Sequence, residues 1–326
     1  MKMKRSMMMG FLLTTAVFAY SQTIENVILM IPDGCSGNLV ELYKMVSKQD
    51  AKRFPPLAFE DIQTGMISTL NGDGQITDSA AAGTAYATGV KTKNAYVSMT
   101  PDGKTLPTIA EKAKQKGLGV GLVTSDSING ATPSAFCAHV SNRDKIEDIQ
   151  KMREAQGFDV VEGSEKKNRL AEKTTEALQK LSQNKKGFFL MVEGGAIDHS
   201  QHSNNPVGAL EDLEDFNRAV TVVRTFMKSS SKTLLIIAPD HDTGGMSITG
   251  TNQVGQLVAE KVAAKDLAKK FEKGTRLINT SVFGVSYTTG GHTDIDVPLW
   301  SAGPKAMSGK VDNTDVNKHI VSVLGL

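Results

Sequence analysis

The chain has 326 residues and a mass of 34.9 kDa, 40% hydrophobic and 22% charged, which is enough apolar material for a large core and excludes a disordered or fibrous protein. Its 37 Lys and Arg nearly balance 35 Asp and Glu, so no basic surface of the kind that marks a nucleic-acid partner is expected.

Residues 1–21 stand apart. Lys2, Lys4 and Arg5 precede an apolar run from Met7 to Ala19, and Ala19-Tyr20-Ser21 offers small residues for cleavage, the pattern of a secretory signal peptide. The run is shorter than the roughly 20 residues a membrane anchor needs, so export to the periplasm or medium, followed by cleavage, is the expectation. The catalytic domain is then 22–326. Cleavage removes three basic residues and no acidic ones, so the mature chain carries a net charge of about −1. Cys35 and Cys137 could bridge in an oxidising compartment, but their spacing is not that of a disulfide scaffold and two buried thiols are expected.

From Asn26 the apolar run Val27–Ile31 predicts a buried parallel strand, closed by Pro32-Asp33-Gly34, which puts Asp33 at a strand's carboxyl end. Ser36 to Val46 predicts a helix, and Pro55-Pro56 breaks the chain before a short strand, Gly65–Thr69. Then comes TDSAAAGTAYATG, Thr77 to Gly89. Alanine favours helix and Thr77 or Asp78 suits the N-cap, so Ser79 falls in a first turn, where free N–H groups and the macrodipole favour an alkoxide or a phosphate.

Lys104 to Gly117 predicts a helix ending at glycine, and Val120–Thr124 another buried strand, which runs into Asn129-Gly130-Ala131-Thr132-Pro133. Helix is expected to resume at Ser134, placing His139 and Arg143 on one face, with His139 a packed histidine and Arg143 able to present its fork to an oxyanion. The stretch from Asp144 to Gln183 is polar and helix-prone. Phe188–Val192 is the next strand, followed by the chemically dense VEGGAIDHSQH: Glu193 at the strand end, then Asp198 and His202 one helical turn apart, as paired metal ligands often are.

Pro206 to Lys228 predicts a long amphipathic helix with Leu210, Leu213, Phe216, Val220 and Val223 toward the core. Thr233–Ala238 is a strand ended by Pro239-Asp240-His241-Asp242. Residues 246–290 are irregular and read as an excursion over the active face, before Gly290-Gly291-His292, a returning strand at Val297–Trp300, and a closing helix over Val311–Leu324 that carries His319 on its surface.

With Asp33, TDSA at Ser79, ATP at Thr132, Arg143, VEGGAIDHSQH, DHDTGG and GGH in this order, the chain resembles alkaline phosphatases over nearly all of its length. The resemblance implies a three-layer α/β/α sandwich with a mixed, mostly parallel sheet, and hydrolysis of small phosphate monoesters through a phosphoserine. It implies one zinc on Asp198, His202 and His292, a second on Asp33, Asp240 and His241, and a magnesium on Asp33, Thr132 and Glu193. Ser79 is then the nucleophile, Arg143 the phosphate clamp, and His199 a group that touches phosphate through water. A homodimer is compatible with it.

Gly130 departs from the family pattern, which has Asp or His there, so the third ion loses a usual outer acceptor for its waters and weak magnesium binding is expected. Competing readings are a phosphodiesterase or nucleotide pyrophosphatase, disfavoured by Arg143, and a non-catalytic exported metal- or phosphate-binding protein. A sulfatase signature is absent at Ser79.

Overall fold

The computed structural model describes residues 23–163, 168–249 and 284–326. The predicted signal peptide at 1–21 and the body of the predicted excursion, 250–283, lie outside them.

The strands are β1 (Asn26–Ile31), β2 (Gln63–Ser68), β3 (Gly119–Thr124), β4 (Val160–Gly163), β5 (Phe188–Glu193), β6 (Thr233–Ile237), β7 (Asp242–Thr243), β8 (Met246–Ile248), β9 (Val285–Tyr287), β10 (His292–Thr293), β11 (Val297–Ala302) and β12 (Gly309–Asp312). Eight form one sheet in the order β12-β2-β11-β6-β1-β5-β3-β4. Among its described pairings, only those of β11 are antiparallel. The helices are α1 (Gly37–Gln49), α2 (Ser79–Thr88), α3 (Ile109–Lys116), α4 (Ala131–Ser134), α5 (Ile146–Ala155), α6 (Leu170–Leu181), α7 (Ala196–His202), α8 (Pro206–Ser229) and α9 (Asn313–Leu324).

The period-2 geometry of the strands sorts their side chains into two cores. Ile28 and Met30 of β1 face a layer with α1, α6 and α8, while Val27, Leu29 and Ile31 face α2, α3 and α9. This is the expected sandwich. Because β1, β3, β5 and β6 run parallel, their carboxyl ends meet along one edge: Ile31 and Thr124 both register with Glu193, and Met30 with Ile237. Every acidic residue predicted at a strand end therefore arrives at the same rim. Cys35 and Cys137 are buried free thiols in different cores, as expected.

Several boundaries differ from expectation. The Lys104–Gly117 helix begins only at Ile109, because Thr108 caps it through a reciprocal box with Glu111. The helix expected from Ser134 onward is a short turn of helix that ends there, so His139 and Arg143 share no helical face. Pro133 and the bridge between Val97 and Val140 explain this, since the chain is drawn into extended pairing instead. His139 is nonetheless packed, between Ser98 O and Glu111, both at 3.0 Å. Val311 and Asp312, expected in the last helix, belong to β12, with Asp312 capping α9. His319 sits near the surface, its Nε2 2.8 Å from Lys305 O. The edge strand β4 was not expected, and β8 and β9 pair antiparallel at the two ends of the excursion.

The parallel pairing of β2 with β12 requires bare backbone at Gly65, where a Cβ would stand 1.9 Å from Gly309 O. Gly65→Ala should destabilise the protein by about 1–3 kcal/mol, as overpacking does. Urea unfolding with unchanged stability would show that the β12 edge gives way freely.

Candidate metal and nucleophile site

Ser79 is the first residue of α2, whose N-cap is Asp78; the Asp78 carboxylate accepts from Ala81 N–H at 2.9 Å. Ser79 is buried, and its Oγ lies 3.2 Å from His241 Nε2. His241 follows β6, fully buried, with Nε2 3.2 Å from Asp240 Oδ2 and 3.6 Å from Asp33 Oδ1. Asp33 follows β1, and its Oδ2 accepts from Thr132 Oγ1 at 3.4 Å. Glu193, the last residue of β5, accepts from Thr124 Oγ1. The sequence-predicted residues Asp33, Thr132, Glu193, Asp240, His241 and Ser79 thus converge.

Asp198 and His202 on α7 meet His292 on β10. His202 Nε2 is 3.2 Å from Asp198 Oδ2, and His292 Nε2 is 3.7 Å from Asp198 Oδ1. The tautomers follow from the other ring nitrogens. His202 Nδ1 stands 2.7 Å from Gly290 O and His292 Nδ1 2.8 Å from Thr77 O; a carbonyl only accepts, so both Nδ1 atoms carry protons. The two Nε2 atoms then face each other 3.1 Å apart with lone pairs, which needs a proton or a shared cation between them.

The donor sets fit cations. Ligand atoms of Asp198, His202 and His292 lie within 4.8 Å of one another, as do those of Asp33, Asp198 and His241. Asp198 stands between the two groups, and Asp240 adds a carboxylate to the second. Asp33 Oδ1 and Asp240 Oδ2 are buried with no hydrogen-bond partner among the described residues. Two imidazoles with a carboxylate suit a borderline metal, whereas Asp33, Thr132 and Glu193 present oxygen only and suit a hard one.

The charge state of the bare site says the same. Burial, then the charges of Asp240 and Asp198, push Asp33 well above the usual carboxylate range. Burial and Asp198 push Asp240 up to about 8, and burial takes Glu193 to about 7 against the bonds from Thr124 and Thr132. Burial also pushes on Asp198, but His202, His241 and Thr243 outweigh it and hold it low. His241 lies well below its ordinary value through burial first, then through the positive charge that a protonated His292 or His202 would bring and that of Arg143, with Asp198 opposing.

Arg143 reaches the site without a helix. Its N–H donates to Ala95 O at 2.8 Å, Ala95 N–H donates to Asp78, and Arg143 Nη1 lies 3.4 Å from Asp78 Oδ2, next to Ser79. His199 pairs with Asp126 rather than with any metal-type ligand, its Nε2 3.2 Å from Asp126 Oδ2 and its side chain 64% exposed. That carboxylate, followed by Asp198 and Glu193, pushes the imidazole above its ordinary value.

Three contributors were not predicted as site residues. Thr243 Oγ1 donates to Asp198 Oδ1 at 2.5 Å and lies 3.2 Å from His241 Nδ1, so one hydroxyl orients a ligand of each group. Gly34 brings its N–H to Asp240 Oδ1 at 3.1 Å; with φ +70 and a would-be Cβ 2.8 Å from Asp198 Oδ1, it has no room for a side chain. Asp126 is the third. Thr243 had a sequence signal, its place in DHDTGG; Gly34 had only its adjacency to Asp33, and Asp126 only its nearness to Gly130.

The chain matches the family model described as "Alkaline phosphatase" over residues 24–165 and 158–280. It is 30% identical to alkaline phosphatase 4 of Bacillus subtilis (strain 168), covering 92% of this chain and 89% of that one. Among solved structures it resembles the alkaline phosphatase of Thermus thermophilus, with a TM-score of 0.82, 21% identity and coverage of 94% and 93%. The cold-active enzyme of Shewanella sp. follows with a TM-score of 0.79, 24% identity and coverage of 92% and 99%. A mutant of the alkaline phosphatase from TAB5, with Mg bound in its M3 site, aligns with a TM-score of 0.74, 24% identity and coverage of 93% and 98%.

Metal removal has a predictable signature. In chelated protein Asp240 has a folded pKa above its unfolded 3.8, so its contribution is fully present below that pH and is lost as pH rises through about 8. Asp198, shifted the other way, loses its contribution only at pH below 3.8, outside this window. Glu193 adds to the fall up to about 7, while His241, held below its ordinary 6.5, opposes it below that pH. Melting temperature in chelator should therefore fall most clearly from pH 6.5 up to about 8, Asp240→Asn should flatten the fall, and zinc at 100-fold its Kd should add about 2.7 kcal/mol to the wild type. Calorimetry showing no dependence on pH or zinc would contradict the cation assignment.

Proposed function

The chain belongs to the alkaline phosphatase family and is a phosphatase, and from that premise we propose that it hydrolyses phosphate monoesters through a phosphoserine at Ser79. In this reading Asp198, His202 and His292 hold one zinc, Asp33, Asp240 and His241 a second, and Asp33, Thr132 and Glu193 a magnesium. The observation that carries it is a buried hydroxyl at a helix start, 3.2 Å from His241 Nε2, beside carboxylate oxygens with no donor.

Bound there, the metals supply Lewis acidity that activates oxygen nucleophiles and draws charge from the leaving oxygen. The chain's own groups do the rest. Ser79 Oγ attacks phosphorus while the ester P–O bond breaks and the alcohol departs; water then cleaves the Ser79 phosphoester and restores the hydroxyl. The free N–H groups of the first turn of α2 face the transferring phosphoryl group, whose negative charge they favour. Arg143, held beside Ser79 through its backbone bond to Ala95 and only loosely at its tip by Asp78, turns its fork to two phosphoryl oxygens. His199 meets phosphate through water. The rings of His202 and His292 are held ready by the carbonyls of Gly290 and Thr77.

Export belongs to the proposal and rests on residues 1–21. Among the described residues, no helix is long and apolar enough to cross a membrane.

Ser79→Ala should lose more than about 10²-fold in turnover while retaining zinc, since nucleophile and metal ligands act as a unit. After incubation with labelled phosphate and acid quench, label should be found on the wild type and not on the variant; equal labelling would remove Ser79 from its role. In a paired assay, p-nitrophenyl phosphate should be hydrolysed in clear preference to bis-p-nitrophenyl phosphate. A preference for the diester would replace this reading by the phosphodiesterase one.

A further inference from the structure

The loop between β3 and α4 carries an acidic side chain that no motif includes, Asp126. Its backbone N–H donates to Thr124 Oγ1 at 3.0 Å, the hydroxyl that in turn donates to Glu193. The side chain lies over the turn from β5 into α7. From the point where a Gly195 Cβ would stand, Asp126 Cβ is 2.9 Å away and the Glu193 carboxyl carbon 3.3 Å. Asp126 thus stands beside Glu193, and its Oδ2 meets His199 Nε2 at 3.2 Å.

Gly130 explains why this place is free. A Cβ there would be 2.9 Å from Ser127 O, pressing on backbone whose turn is closed by Gly130 N–H donating to Ser127 O at 2.8 Å. Asp126 Oδ2 would lie 3.9 Å from that Cβ, so the volume a side chain at 130 would enter is bordered by the Asp126 carboxylate. A carboxylate offers about four lone-pair sites, and His199 and the Ser127 backbone use two, which leaves acceptors for water. Asp126 and His199 also line a cavity of about 370 Å³ that extends along α7 to Asn205 and Asp215 and leaves room for ordered water at that pair. A hard cation on Asp33, Thr132 and Glu193 keeps several waters, and those waters need acceptors.

We propose, resting on the three-cation reading above, that Asp126 is a positioning residue: from the β3–α4 loop it accepts hydrogen bonds from the waters of the third cation and holds the His199 ring. It does so from four residues upstream of Gly130. Magnesium binding by the wild type is then firm, whereas position 130 taken alone implies that it is weak.

The test is magnesium titration by calorimetry into zinc-loaded, magnesium-depleted protein, with metal content per chain measured in parallel. Asp126→Asn keeps the volume and removes the charge; it should bind magnesium about 10- to 100-fold more weakly, the usual effect of losing an outer partner. Asp126→Glu should recover part of the loss, and Gly130→Asp in the wild-type background should give no gain. Circular dichroism and melting of Asp126→Asn matched to the wild type establish that the fold is intact. Unchanged magnesium affinity in Asp126→Asn, or tightening by Gly130→Asp alone, overturns the role of Asp126 while leaving the three-cation reading in place. A zinc-loaded wild type that retains no third ion at any magnesium concentration overturns that reading, and this proposal with it.

Discussion

The structure turns on the burial of like charges at one edge of a parallel sheet. Asp33, Glu193, Asp198, Asp240 and Asp242 are all at most 7% exposed. Each would cost several kcal/mol to bury unpaired. Backbone N–H groups meet some of that cost: Gly34 and His241 both donate to Asp240 Oδ1 at 3.1 Å, and Gly245 donates to Asp242. The remaining oxygens of Asp33 and Asp240 have no hydrogen-bond partner among the described residues, and a single ring nitrogen, Nε2 of His241, stands 3.6 and 3.2 Å from them. Cations are the groups that satisfy both at once. Metal affinity and folding stability are therefore coupled in this protein, because the same carboxylates that attract a cation repel one another without it.

The parallel sheet is what brings these charges together, and it was legible because buried parallel strands read as continuous apolar runs. Val27–Ile31, Val120–Thr124, Phe188–Val192 and Thr233–Ala238 all became central strands, each within one residue of its expected bounds. The place of Asp33, Glu193 and Asp240 on the rim was legible for the same reason, as acidic residues that close such runs. Strand β4 lacked the signal: Val160 and Val161 sit between Asp159 and Glu162, too short a run to register, and β4 owes its place to pairing with β3. The helix misread after Ser134 is a case of tertiary pairing overriding local propensity, as Val97 and Val140 exchange backbone bonds. What could not be read at all was the outer layer of the site. Gly290 O and Thr77 O fix two imidazole tautomers, but a carbonyl is present at every residue and carries no sequence mark.

Asp78 shows how a residue with an ordinary local role also organises the site. As N-cap it satisfies Ala81 N–H through Oδ1; its Oδ2 accepts from Ala95 N–H at 2.9 Å, which anchors the segment that holds Arg143 by its own backbone. One carboxylate thus joins the start of α2, which presents Ser79, to the loop that delivers Arg143. The joint is firm in the backbone and loose at the guanidinium, where Nη1 stands 3.4 Å from Oδ2 with the Arg143 side chain 35% exposed. Such a partly solvated, long ion pair is worth at most about 1 kcal/mol. A phosphate dianion at Ser79 offers the guanidinium two charged oxygens in place of one distant one, a bidentate contact that a carboxylate already engaged with two backbone N–H groups cannot match. Under the proposed phosphoserine reading, Arg143 is accordingly placed near the phosphate by backbone bonds and left free at its tip, so that an exchange from Asp78 to phosphate would cost little and need no movement of α2.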